Sequence, residues 1–325
     1  LISDETFLYL RYIFLYTCNP IVILFGLGSN IVNIIVFTKM GLKDGVTVSL
    51  FSLTISDFAF LLISAIITST NIVINFPQVA PQTINLPDVA YASFWYSMVF
   101  YDTSMLIRVY TAVARACCVA IPLTFRNTFT KSVTVYSVGG VFSAALVTRV
   151  PMLACQGFQS VFDGKTNITK SVLYFTSLRP AAFAVNDIVN RNIITWGAIS
   201  LVLTSLFVLN NGKFLHKLKI SLSSSGNSNS FLVGRDLQVL RVVIIVSIIF
   251  IVCTSPQAVS GVVRRLVPDY NTGGRYGDVF LVTSIIFDIG SYLNSSLNFF
   301  VYYNFNTKFR QVSRRLLIIS KTGED

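Results

Sequence analysis

Apolar residues in this chain fall into seven long blocks, near residues 12–38, 46–72, 89–118, 132–154, 188–211, 241–263 and 279–303, with short polar segments between them. About 20 mostly apolar residues at 1.5 Å rise each cross a bilayer. Backbone groups inside a bilayer have no water to bond, so such blocks must be helices. The pattern predicts an all-α fold, a seven-transmembrane helix bundle. Residues 1–11 form an outer segment, 12–303 the membrane domain, and 304–325 an inner helix and tail. Residues 221–230 (SLSSSGNSNS) read as a flexible linker. After the last block, Phe305, Phe309, Val312 and Leu316 share one helical face, while Lys308, Arg310 and Arg314 lie elsewhere. That pattern predicts a short amphipathic helix along the membrane surface. The polar segments show no strand alternation strong enough for a separate fold.

Composition agrees. Of the residues, 53% are hydrophobic and 12% charged, against about 25% charged in a soluble domain. The net charge of +11 does not suggest nucleic-acid binding, because the basic residues flank the blocks and form no single patch. If residue 1 lies outside, fourteen Lys or Arg fall in inner segments and seven in outer ones. The excess of inner basic residues predicts an outer N-terminus and an inner C-terminus. The sequon Asn167-Ile168-Thr169 then lies outside, where it can carry a glycan. A second sequon at Asn294 falls inside the last block and should be unmodified. Residues 1–10 lack the flanks of a cleavable signal, so the first block is expected to act as its own insertion signal. Of five cysteines, only Cys18 and Cys155 are placed to see the outside, which allows one bridge at most. The single histidine, His216, sits beside Lys217 in an inner segment, so no histidine-based triad or zinc cluster can form. The chain does not read as an enzyme.

Charged groups within the blocks are few: Asp57, Asp102, Arg108, Arg115 and Asp288, with Arg149 and Arg191 in or at the ends of theirs and a polar run at Asn294, Ser295, Ser296 and Asn298. A charge at the centre of a bilayer costs at least about 2.5–3.5 kcal/mol, so these groups should face the bundle interior and have partners. Such charges can also line a transport pathway, so a transporter or channel is the competing class. No internal repeat of the kind transporters carry is evident.

In order along the chain, GSNIV carries Asn30, LTISD carries Asp57, ARACCVAIPL carries Arg115 and Pro122, FIVCTSP carries Phe250, Cys253 and Pro256, and SLNFFVYYNFNTKFR carries Asn298, Tyr302 and Phe309. This series resembles the motifs of rhodopsin-like G-protein-coupled receptors, and the resemblance covers all seven blocks. The chain departs from the family pattern at Ala114 and Ala116 around the arginine, Thr254 for the usual Trp, Phe299 for the usual Pro, and Ala90 for the usual Cys. It is similar to a divergent member of invertebrate peptide or chemosensory type, or to a relic that no longer signals.

The resemblance implies a plasma-membrane receptor for an extracellular ligand, with a heterotrimeric G protein and membrane lipid as partners. Ligand binding swings the inner end of the sixth helix outward. The implied switch residues are Arg115, Asp236, Phe250, Pro256, Asn298 and Tyr302, with Arg115 pairing to Asp236 at rest. Asp57, Ser104, Asn294, Ser295 and Asn298 match positions that hold a sodium ion in the family. Here Arg108 lies one turn from Ser104 on the same face, and its guanidinium is expected to replace sodium by pairing with Asp57. Backbone carbonyls or Asn298 are the alternative partners. The implied ligand pocket holds Ser97, Tyr101, Asp102, Asp288 and Tyr292, with Arg264 and Arg265 at the rim. Ser97 stands where amine receptors carry an acid, and no Lys lies between 279 and 303 for a retinal Schiff base. A peptide or a small polar chemosensory molecule remains.

Overall fold

The computed structural model describes residues 4–75, 83–120, 129–164, 167–189, 199, 202, 206, 229–271 and 273–322. It is mostly helical. In chain order the helices are α1 (Asp4–Arg11), a π-helical turn (Tyr12–Cys18), α2 (Asn19–Met40), α3 (Gly45–Val73), α4 (Leu86–Ala120) and α5 (Lys131–Ala154). A hairpin of β1 (Gln156–Asp163) and β2 (Ile168–Phe175) follows. Then come α6 (179–189), α7 (Asn229–Leu266), α8 (Gly277–Ser296), α9 (Asn298–Phe305) and α10 (Thr307–Thr322).

Among the described residues, four helical stretches are long and apolar enough to cross a membrane: Glu5–Met40, Gly45–Val73, Lys131–Ala154 and Gly277–Phe305. They match four of the seven expected blocks. Two further blocks, 89–118 and 241–263, fall on α4 and α7, which are long helices but outside that set. The N-terminal half of α4 is diluted by Tyr91, Trp95, Tyr96, Ser97, Tyr101 and Asp102. Most of the block at 188–211, and nearly all of the linker, lie outside the described residues.

Polarity across these helices is inverted relative to a soluble protein. Leu24 is 67% exposed and Val147 66%, whereas Asn30, Asp57 and Asn298 are buried. Buried polar groups and exposed large apolar ones are the informative departures from ordinary burial, and both fit membrane association.

Three elements differ from expectation. The polar N-terminal segment is not separate, because helix runs from Asp4 through the π-turn into α2. Asp4 and Glu5 favour the helix start by their charge. Pro20 is the second residue after the π-turn. A proline within a helix clashes with the carbonyl four residues earlier, and the wider π-turn gives that ring room. The hairpin was not foreseen. Most of β1 is exposed and much of β2 half-buried, with no inner face along either strand, so neither shows the period-2 alternation that marks a strand. The last block is two helices, broken at Leu297.

Local signals set the remaining ends. Gly41, at φ 78°, ends α2, a conformation that costs glycine little. Asp44 caps α3 by accepting from the Thr47 amide at 2.9 Å, and Thr130 caps α5. In α10, Phe309 is buried against Phe37 and Tyr302, while Phe305, Val312 and Leu316 pack on the same cluster. The amphipathic face read from the sequence is the face that docks.

Candidate functional site

Asp57, mid-way along α3, is fully buried, and its carboxylate gathers four side chains from two other parts of the chain. Arg108 of α4 donates through one terminal nitrogen to both carboxylate oxygens at 3.0 Å. Ser104, one turn earlier on α4, accepts from the other terminal nitrogen and donates to Asp57, each at 2.5 Å. Ser295 of α8 donates at 3.0 Å and the Asn298 amide of α9 at 2.7 Å. With its oxygen turned to the guanidinium, Asn294 accepts from Arg108 at 3.2 and 3.3 Å. The Phe250 ring of α7 lies 5.7 Å from the guanidinium carbon, within cation–π range. The charge of Asp57 is thus met by a full charge and three neutral donors.

The break at Leu297 lets α8 and α9 both reach this centre. Two carbonyls at the break, those of Ser295 and Ser296, accept from the Asn30 amide at 2.9 Å and the Ser29 hydroxyl at 3.1 Å, both on α2. Side chains of α2 thereby satisfy backbone groups that an interrupted helix leaves open. Gly26 of α2 makes the approach feasible, since a Cβ there would collide with the Ser296 side chain. Gly290 does the same between α8 and α7, where a Cβ would stand 2.6 Å from the Cys253 carbonyl oxygen.

A second buried ion pair was not foreseen. Arg149 of α5 donates through Nε to Asp102 of α4 at 2.7 Å, with a terminal nitrogen 2.6 Å from the same oxygen. Its other terminal nitrogen donates to Asn186 of α6. The signal was present as an acid in the block 89–118 and a single basic residue in the block 132–154. Beside this pair lies a cavity of about 440 Å³.

The seven residues expected at a ligand pocket have different surroundings. Of the seven, Arg264 lines the cavity. The Ser97 hydroxyl bonds back to Phe94 of its own helix. Tyr101 and Tyr292 pack on Phe60, at 5.3 and 5.7 Å between ring centres. Asp102 is taken by Arg149. Asp288 and Arg265 are exposed, without an ion-pair partner among the described residues.

Of the expected switch residues, Phe250 and Tyr302 are buried, and Pro256 sits inside α7. The Ser255 hydroxyl donates to the Val252 carbonyl at 3.3 Å, the group whose helical donor Pro256 lacks. The side chains of Arg115 and Asp236 lie outside the described residues, so their pairing is not described. Asn167 is exposed at the hairpin turn with φ 53°, whereas Asn294 is buried. Cys18 and Cys155 are both free.

The polar centre does not fit an added sodium ion. The position between Asp57, Ser104 and Asn294 is filled by the guanidinium of Arg108, and a second cation there would meet a like charge. Comparison with known protein families and with curated proteins finds no match.

Proposed function

We propose that the chain is a ligand-activated receptor of the rhodopsin-like kind, a seven-helix plasma-membrane protein with its N-terminus outside. It couples to a heterotrimeric G protein through outward movement of α7. The observation that carries this reading is the meeting of residues far apart in sequence. Asn30, Asp57, Phe250, Asn298, Tyr302 and Phe309 belong to motifs on five different helices, and all are buried in one connected region. A ligand shifts such a bundle only by binding one arrangement better than another. The centre couples the helices by direct bonds, while Pro256 gives α7 a place to bend.

The test is guanine-nucleotide exchange. Purified protein in lipid vesicles is mixed with G-protein heterotrimers, and nucleotide release is followed with no ligand and with candidate ligand extracts. Faster exchange than with empty vesicles is expected. Ion flux across the same vesicles, with exchange unchanged throughout, would sink the receptor reading in favour of a transport protein. Because Ala114 leaves Arg115 without an acidic neighbour, exchange should already be raised without ligand and should fall in Ala114→Asp.

A further inference from the structure

We infer that the cavity beside the Arg149–Asp102 pair takes a small organic monoanion with an aromatic or branched apolar body, its carboxylate on Arg264. One wall is Phe94, Trp95, Met98 and Phe183. The other carries Arg149, Asn186, Asp187 and Arg264. A volume of about 440 Å³ is that of a small-molecule site, and apolar walls with a few polar groups are the usual lining of one.

The apolar wall is held in place from behind. Trp95 meets Phe94 and Phe183 edge-on, at 5.2 and 5.9 Å between centres. Arg179 lies 5.4 Å from the Phe183 ring and 3.7 Å from that of Phe175 on the hairpin. A flat or branched apolar body therefore meets a preformed surface and orders little on binding.

The charged wall sets the sign. Arg149 already spends its three nitrogens on Asp102 and Asn186, and Asp187 is engaged within the protein. Arg264 is exposed at the end of α7, with no carboxylate in ion-pair range among the described residues. It leans on the Phe280 ring at 5.5 Å, a contact that still leaves guanidinium donors for a carboxylate.

This names the ligand class for the proposed receptor and rests on that reading only for what binding would signal. Binding itself is read without a G protein, so the two can fail separately. The chain has two tryptophans, and Trp196→Phe leaves Trp95 as the sole indole reporter. In detergent-solubilised Trp196→Phe protein, 3-phenylpropanoate and its neutral amide are titrated against indole fluorescence. Peptides ending in Phe, as free acid and as amide, form the second arm, because a peptide C-terminus offers the same chemistry. Saturable change with at least one acid, bound tenfold or more tightly than its amide, is expected, and the tighter acid identifies the source. Arg264→Gln should erase the acid preference while leaving amide binding in place, and Arg264→Lys should keep it. Equal binding of acid and amide, or an acid preference that survives Arg264→Gln, overturns the inference. So does the absence of any saturable change in protein whose thermal unfolding matches the wild type.

Discussion

Replacing Arg108 with Met tests the polar centre most directly. Met keeps the unbranched stem of the side chain and removes the guanidinium, so Asp57 is left buried among Ser104, Ser295 and Asn298. Removing one partner of a buried pair costs about 3–5 kcal/mol, because the other charge is stranded. Three donors still reach the carboxylate, and hydrogen bonds to a charged group contribute about 1.5–3 kcal/mol each. The loss should therefore lie near the lower end, about 3 kcal/mol. Asp57→Asn should cost more. It strands a guanidinium whose other acceptors are only Ser104 and Asn294, and whose Nε has no partner among the described residues. The double variant carries no buried charge at this centre and should recover most of either loss, as replaced buried pairs do elsewhere. Denaturant unfolding in detergent micelles, followed by tryptophan fluorescence, gives the three differences. If the two single losses simply add in the double variant, the pair is not coupled and the reasoning is wrong.

Four shorter expectations accompany it. Arg108→Met should also create what the wild type lacks, a gap lined by oxygen ligands suited to a hard cation. Sodium chloride should then raise the stability of the variant more than choline chloride at equal ionic strength, with no such difference in wild type. Asp102→Asn should destabilise by about 3–5 kcal/mol, with Arg149→Met added to it restoring most of the loss in the same assay. Gly290→Ala places a Cβ 2.6 Å from the Cys253 carbonyl oxygen and should cost about 1–3 kcal/mol by overpacking, read as a lower unfolding midpoint. Phe309→Ala empties a buried site between Phe37 and Tyr302 and should cost about 3–5 kcal/mol, with α10 becoming open to protease before the rest unfolds.

Much of this was legible wherever one physical rule dominated. Long apolar runs marked the helices α2, α3 and α5, and the spacing of Phe309, Val312 and Leu316 marked the docking face of α10. An isolated charge at Arg108 pointed to Asp57, because a stranded charge is the costliest outcome. The same rule applied to Arg149 and Asp102, but Arg149 sits near the end of its block, where a basic residue usually reaches water. Its partner became visible only once α4 and α5 were placed side by side. The break at Leu297 was hidden for another reason. Phe299 stands where a proline would have announced it, and the break is held by Ser29, Asn30 and Asp57, which lie on other helices.

The two buried pairs also bear on which helix can move. Asp102 and Arg108 are six residues apart on α4, so they point about 120° apart around its axis, one toward α5 and the other toward α3. Sliding or turning α4 by one residue separates both pairs at once, and each separation strands a charge. Buried polar groups that fix register in this way are their best-attested use. By contrast, the described part of α7 meets the polar centre through the Phe250 ring and meets α4 again through Tyr101, whose hydroxyl donates to Gln257 at 3.4 Å. Neither contact strands a charge when it opens. A bundle whose α3, α4 and α5 are locked by ion pairs, and whose α7 is held by apolar packing through Val246 and Phe250, a close approach to α8 and one long hydrogen bond, strands no charge when it yields at α7. That difference in cost is the mechanical ground for assigning the moving part of the proposed switch to the helix that carries Pro256.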